Sequence, residues 1–139
     1  MAWIGYALLS AIFAAAVAIL GKIGLKDVDS TLATTIRATV MAVFLIGAAA
    51  VLQKFSLVKT ISTQTLSFII FSGIAGALSW LFYFLALKHG PATGVAALDR
   101  LSVVFVVLLA AIFLGEALTL KSVTGLVFLV LGALLLVLK

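Results

Sequence analysis

The chain contains no cysteine, one proline, one histidine and four carboxylate side chains among its 139 residues. Without cysteine there is no disulfide and no thiolate metal site, and the redox compartment leaves no mark on the sequence. With a lone histidine (His89) and so few acids, there is no paired-carboxylate site and no metal cluster. No glycine-rich phosphate loop is present either, and no Ser/His/Asp set shares a common depth. The chain is therefore not expected to be an enzyme, to carry catalytic residues, or to need a cofactor or metal. Charge of either sign is scarce, at 9% of residues. The net charge of +5 comes from lysines that mostly flank apolar runs, where they hold helix ends at a membrane interface. Nucleic acid is not an expected partner.

What fills the chain instead is hydrophobic: 66% of residues, with a mean hydropathy of +1.46. Five apolar runs stand at Trp3–Gly21, Leu32–Leu52, Leu66–Leu87, Ala92–Leu114 and Val123–Leu138, the last lengthened by Leu120–Ser122. A bilayer core about 30 Å thick takes about 20 helical residues. Only helices or closed barrels satisfy their backbone in lipid, and the short alternating segments of barrel strands are missing. The sequence predicts an all-α integral membrane bundle of five transmembrane helices. They are expected at about 3–21, 32–52, 66–87, 92–114 and 120–138, in one domain spanning 1–139. The first run lacks a basic leader and is longer than a signal-peptide core. The lipid bilayer is the first partner implied.

The breaks carry familiar punctuation. Asp29 or Ser30 is placed to cap helix 2, and Ser62 or Thr63 to cap helix 3 after the longest connection, Gln53–Thr65. Gly90 suits a left-handed helix stop, and Pro91 suits the first turn of helix 4. Five crossings put the termini on opposite sides. Lys54, Lys59 and Lys121 fall on the N-terminal side. Lys22, Lys26, Lys88 and Lys139 fall on the other, with Arg37 and Arg100 just inside it. The positive-inside rule tilts that second side toward the cytoplasm of a cell inner membrane, with a bias small enough to permit insertion both ways.

Polar groups in the lipid zone gather in one layer. Arg37, Asp99 and Arg100 lie about 10 Å below the C-terminal-side surface at the helical rise, and Trp80 and Tyr83 of helix 3 reach the same level. Ser79 stands beside them in the stripe Ser72, Gly76, Ser79, Tyr83. A charge there costs at least about 2.5 kcal/mol, so these groups are expected to pair or to face a watery cavity. Pairing Asp99 with Arg37 or Arg100 leaves one guanidinium over, on which an aromatic can stack. Two readings stand: a clamp pinning helix 2 to helix 4, or the wall of a substrate path. Trp80 and Tyr83 also fit interfacial anchors, as do Trp3 and Tyr6. Glu116 fits a capping or hairpin role near Thr119. Gly125 and Gly132, seven apart on one face of helix 5, allow close helix approach within a protomer or between two.

These residues resemble an EamA-like domain of the drug/metabolite transporter superfamily. The likeness runs through Lys22-Ile-Gly-Leu25, Arg37, Trp80-Leu-Phe-Tyr-Phe-Leu-Ala-Leu-Lys88 and Gly90-Pro-Ala92. It continues through Leu98-Asp-Arg-Leu-Ser-Val-Val-Phe105, Phe113-Leu-Gly-Glu116 and the Gly125…Gly132 helix, so it covers essentially the whole chain. It implies a carrier of small polar metabolites, often an exporter, working by alternating access. Members of this superfamily commonly hold two such units as an inverted repeat, with the substrate near the midplane. One unit implies that two copies assemble, as a homodimer that inverted symmetry would make antiparallel. Gly125 and Gly132 resemble the dimer-forming last helix of small multidrug resistance carriers. The acid those carriers use in helix 1 is missing here. The surplus of arginine then points away from a cationic drug and toward an anionic or zwitterionic metabolite. The alternative is a non-transporting membrane subunit that pairs with another half-transporter.

Overall fold

A computed structural model describes residues 1–138; Lys139, counted above with the C-terminal-side lysines, lies outside the described residues. The described residues form helices and no strands: α1 (Ala2–Gly24), α2 (Ser30–Val51), a 3-10 helix (Lys54–Thr60) and α3 (Thr63–His89). After these come α4 (Ala92–Asp99), α5 (Ser102–Leu109), a π-helical turn (Ala110–Leu114) and α6 (Leu120–Val137). Five helices are long and apolar enough to cross a membrane, with Ala92–Leu114 counted as one span. The protein is an all-α, multi-pass membrane protein.

The helix starts follow from local chemistry. The Asp29 carboxylate accepts from the Leu32 amide at 2.9 Å, so Asp29 rather than Ser30 caps α2. Ser62 accepts from the Thr65 amide at 3.1 Å ahead of α3. Thr119 does the same for α6 through the Ser122 amide, also at 3.1 Å. Pro91 is the N-cap of α4, its φ of −68° already fixed by the ring. Positive φ occurs among the described residues at Gln53 (53°) and Gly115 (67°). The left-handed glycine expected at Gly90 thus stands instead at Gly115, where it ends the π turn.

Helix 4 differs from its expected form. It breaks at Arg100 and Leu101, both with ψ of −15°. There the backbone tightens to three-residue spacing: the Leu101 amide bonds Leu98 O at 2.9 Å and the Val104 amide bonds Leu101 O at 2.9 Å. Asp99 favours local alternatives to helical bonding, and the break falls just after it.

The helices fall into two compact units. One joins Met1–Lys22 to the chain from His89 onward; the other is Ile23–Lys88. In the first, α4 packs on α6, and a Cβ on Gly94 would stand 3.8 Å from Val137 Cγ2. Its buried residues include Ala18, Ala97, Ala110 and Ala133. Lipid supplies no hydrophobic drive between helices, so small side chains that allow close approach form the contact. Lys22 Nζ donates to Gly90 O at 2.8 Å, tying the end of α1 to the turn before α4. In the second unit, Leu25, Phe84 and Leu87 are buried with Ser30 and Thr34. Thr34 returns its hydroxyl to Ser30 O at 2.7 Å, so its burial leaves no polar group without a partner. Lys88 Nζ reaches three carbonyls of the α1–α2 turn: Leu25 O at 2.7 Å, Val28 O at 3.0 Å and Lys26 O at 3.5 Å.

Candidate functional site

The site is built on α2 and α3 of the second unit. Arg37 stands three residues beyond the buried Thr34 on α2, and its side chain is half-buried. On α3, Trp80, Tyr83 and Phe84 stand at i, i+3 and i+4, which places all three on one helical face. Trp80 meets Tyr83 edge-on at 5.4 Å between centroids with an interplanar angle of 77°. It meets Phe84 at 6.1 Å and 63°. These are the offset and edge geometries that aromatic quadrupoles favour. Phe84 is 4% exposed and anchors the group.

The guanidinium of Arg37 lies over this platform. Its Cζ is 3.6 Å from the Trp80 ring centroid and 5.6 Å from that of Phe84. A guanidinium resting by its flat face on a ring keeps its N–H groups, which point outward in the plane, able to donate. A planar fork of donors held on an indole suits a carboxylate. The aromatic face also offsets part of the cost of holding a cation in the lipid zone. Arg37, Trp80 and Tyr83 are thus brought together as their shared depth suggested. Phe84 was missed by sequence reasoning. It reads as one of ten phenylalanines in apolar surroundings, and only its i+4 spacing from Trp80 marks it.

The remaining candidates are placed otherwise. Ser79 is exposed on α3, one residue before Trp80. Asp99 and Arg100 belong to the first unit, exposed where α4 gives way to α5. Apart from the helix's own backbone, no heavy atom among the described residues lies within 4 Å of where a Cβ would stand on Gly125 or Gly132. Trp3 and Tyr6 are exposed near the start of α1, as membrane-belt residues are. Glu116 closes the π turn through its backbone, its amide bonding Ala110 O at 3.3 Å. His89 is the exposed last residue of α3, and no group of three or more metal-ligating side chains is found among the described residues.

Comparison with known proteins decides the family. The model of the EamA-like transporter family matches residues 1–138. The chain belongs to that family. It is 42% identical over 134 residues to an uncharacterized transporter in the cobO 3′ region of a Sinorhizobium species, covering 96% of this chain and 95% of that one. It is also 36% identical over 77 residues to the pseudopaline exporter CntI of Pseudomonas aeruginosa strains UCBPP-PA14 and PAO1. That match covers 55% of this EamA-like chain and 27% of CntI. No solved structure matches the chain.

Proposed function

We propose that this EamA-like transporter exports small polar metabolites bearing a carboxylate, by alternating access, as a homodimer in the cell inner membrane. The observation that carries the reading is the stacking of Arg37 on Trp80. It holds a cation at depth in the lipid zone, where ionisable groups most often serve a substrate path. Arg37 supplies the charged fork, Trp80 and Phe84 its floor, and Tyr83 an adjoining edge. Ser79, next to Trp80 on α3, adjoins the same path. The positive charge of Arg37 on this platform supports an anionic or zwitterionic substrate.

The 77 residues matched are 27% of CntI, and two copies of this five-helix unit approach that exporter's length. In the dimer reading a second copy encloses the path, in antiparallel orientation if the pair copies an inverted repeat. The open Gly125 and Gly132 face of α6 is the proposed contact.

The test is purified protein in liposomes. Saturable, counterflow-competent uptake of a carboxylate metabolite, lost in Arg37→Ala, supports the reading. A chain that is inert alone and co-purifies with a different five-helix protein would replace the homodimer with a mixed pair.

A further inference from the structure

The 3-10 helix Lys54–Thr60 has an arrangement that the transport path does not use. Gln53, left-handed at the end of α2, turns the chain out of that helix and into this segment. In a 3-10 helix residues three apart eclipse, so the segment has three edges. Phe55 and Val58 share one, continued by Ile61; Ser56 and Lys59 share a second; Lys54, Leu57 and Thr60 share the third. The first edge is wholly apolar, and Phe55 and Val58 remain 52% and 57% exposed. The hydroxyls are turned inward to their own backbone, Ser56 to Gln53 O at 3.1 Å and Thr60 to Leu57 O at 2.7 Å. Both lysines are exposed.

Position decides what covers that apolar edge. The segment joins the end of one membrane span, at Val51, to the start of the next, at Thr63. At about 2 Å of rise per residue it is roughly 14 Å long, so it cannot leave the membrane surface by more than its own length. An apolar edge flanked by lysines and held at an interface is the pattern of a helix lying in the headgroup layer.

We propose that Lys54–Thr60 is an interfacial anchor that binds the bilayer surface. Phe55, Val58 and Ile61 enter the acyl boundary, and Lys54 and Lys59 hold anionic phospholipid headgroups. The lysine stems reach along the apolar boundary while their ammonium groups stay at the headgroups.

The absence of cysteine makes the test clean, because a single introduced thiol is the only one in the full chain. Spin-labelled Phe55→Cys, Ser56→Cys, Val58→Cys and Lys59→Cys variants are reconstituted in phosphatidylcholine vesicles with and without phosphatidylglycerol. Collisions with oxygen and with a water-soluble nickel chelate are then measured. Labels at 55 and 58 should favour oxygen and those at 56 and 59 the nickel chelate, with a period of three. In a Lys54→Gln/Lys59→Gln background the labels at 55 and 58 should become shallower in phosphatidylglycerol vesicles and stay unchanged in phosphatidylcholine alone. Ready access of nickel to 55 and 58 would place the segment in water and overturn the proposal. Shielding of 55 and 58 from both reagents would mean a second copy or another protein covers the edge, which overturns it equally. Labels in the double-glutamine background that sit as deep in phosphatidylglycerol vesicles as those in the lysine parent would remove the headgroup role and overturn that part of the proposal.

Discussion

Arg37 and Trp80 are 43 positions apart in sequence, and the guanidinium carbon of one rests 3.6 Å from the ring centre of the other. The contact solves two problems together. It gives a cation in the lipid zone an electron-rich face to rest on, and it fixes the direction in which the remaining donors can act. The i, i+3, i+4 spacing of Trp80, Tyr83 and Phe84 makes the platform a property of α3 alone.

The first prediction concerns that platform. Trp80→Leu keeps an apolar side chain but loses the ring. A partly desolvated cation–π contact is worth about 2 kcal/mol, so thermal stability in detergent should fall by about that amount at most. The larger effect is expected on transport, because Arg37 loses its fixed orientation. Parallel melting and uptake curves on one preparation check this.

A second prediction separates charge from geometry at Arg37. Arg37→Lys keeps the positive charge but loses the planar fork. If a carboxylate is gripped bidentately, KM for counterflow should rise about tenfold, the equivalent of about 1.4 kcal/mol. A KM unchanged in Arg37→Lys would mean that charge alone suffices.

Lys88 carries the third. Its ammonium group satisfies carbonyls of Leu25, Lys26 and Val28. Lys88→Met keeps the stem and removes the donors, and stranding charge-assisted acceptors should cost about 1.5–3 kcal/mol. Hydrogen exchange should show the loss centred on the α1–α2 turn, with the α6 amides unaffected.

The fourth concerns α6. Apart from the helix's own backbone, nothing among the described residues lies within 4 Å of a Cβ placed on Gly125 or Gly132, so leucine at either position should be accommodated. If this face joins two protomers, Gly125→Leu/Gly132→Leu should be monomeric in native mass spectrometry while wild-type is dimeric. Equal dimer fractions would move the contact elsewhere.

The five spans were legible because lipid leaves the backbone few choices: length and apolarity alone placed each within three residues of its observed ends. The caps were legible as pairs, Asp29 or Ser30 and Ser62 or Thr63, because a side-chain acceptor just before an apolar run has one common use; only the structure picks Asp29 and Ser62. The Arg37 and Trp80 layer was legible from depth, counted inward from helix ends. The stacking itself was visible only as a leftover guanidinium that some aromatic could cover. Phe84 could not be told from neighbouring phenylalanines until α3 had a face. The break at Arg100–Leu101 carries neither proline nor glycine, and Asp99 just before it drew notice for its charge rather than for its weak helix preference. Lys54–Thr60 read as connection because its period is three, which neither the helical nor the strand pattern reveals.

Counterflow measured side by side in wild-type and Arg37→Ala liposomes, across a panel of labelled carboxylate metabolites, is the most direct test of the Arg37 site. Wild-type protein should accumulate at least one of them saturably. Arg37→Ala should lose that accumulation while eluting and melting like wild-type, apart from the small cost of the missing stack. A well-folded Arg37→Ala variant that carries the same metabolite with the same KM would take Arg37, and the platform beneath it, out of the transport path.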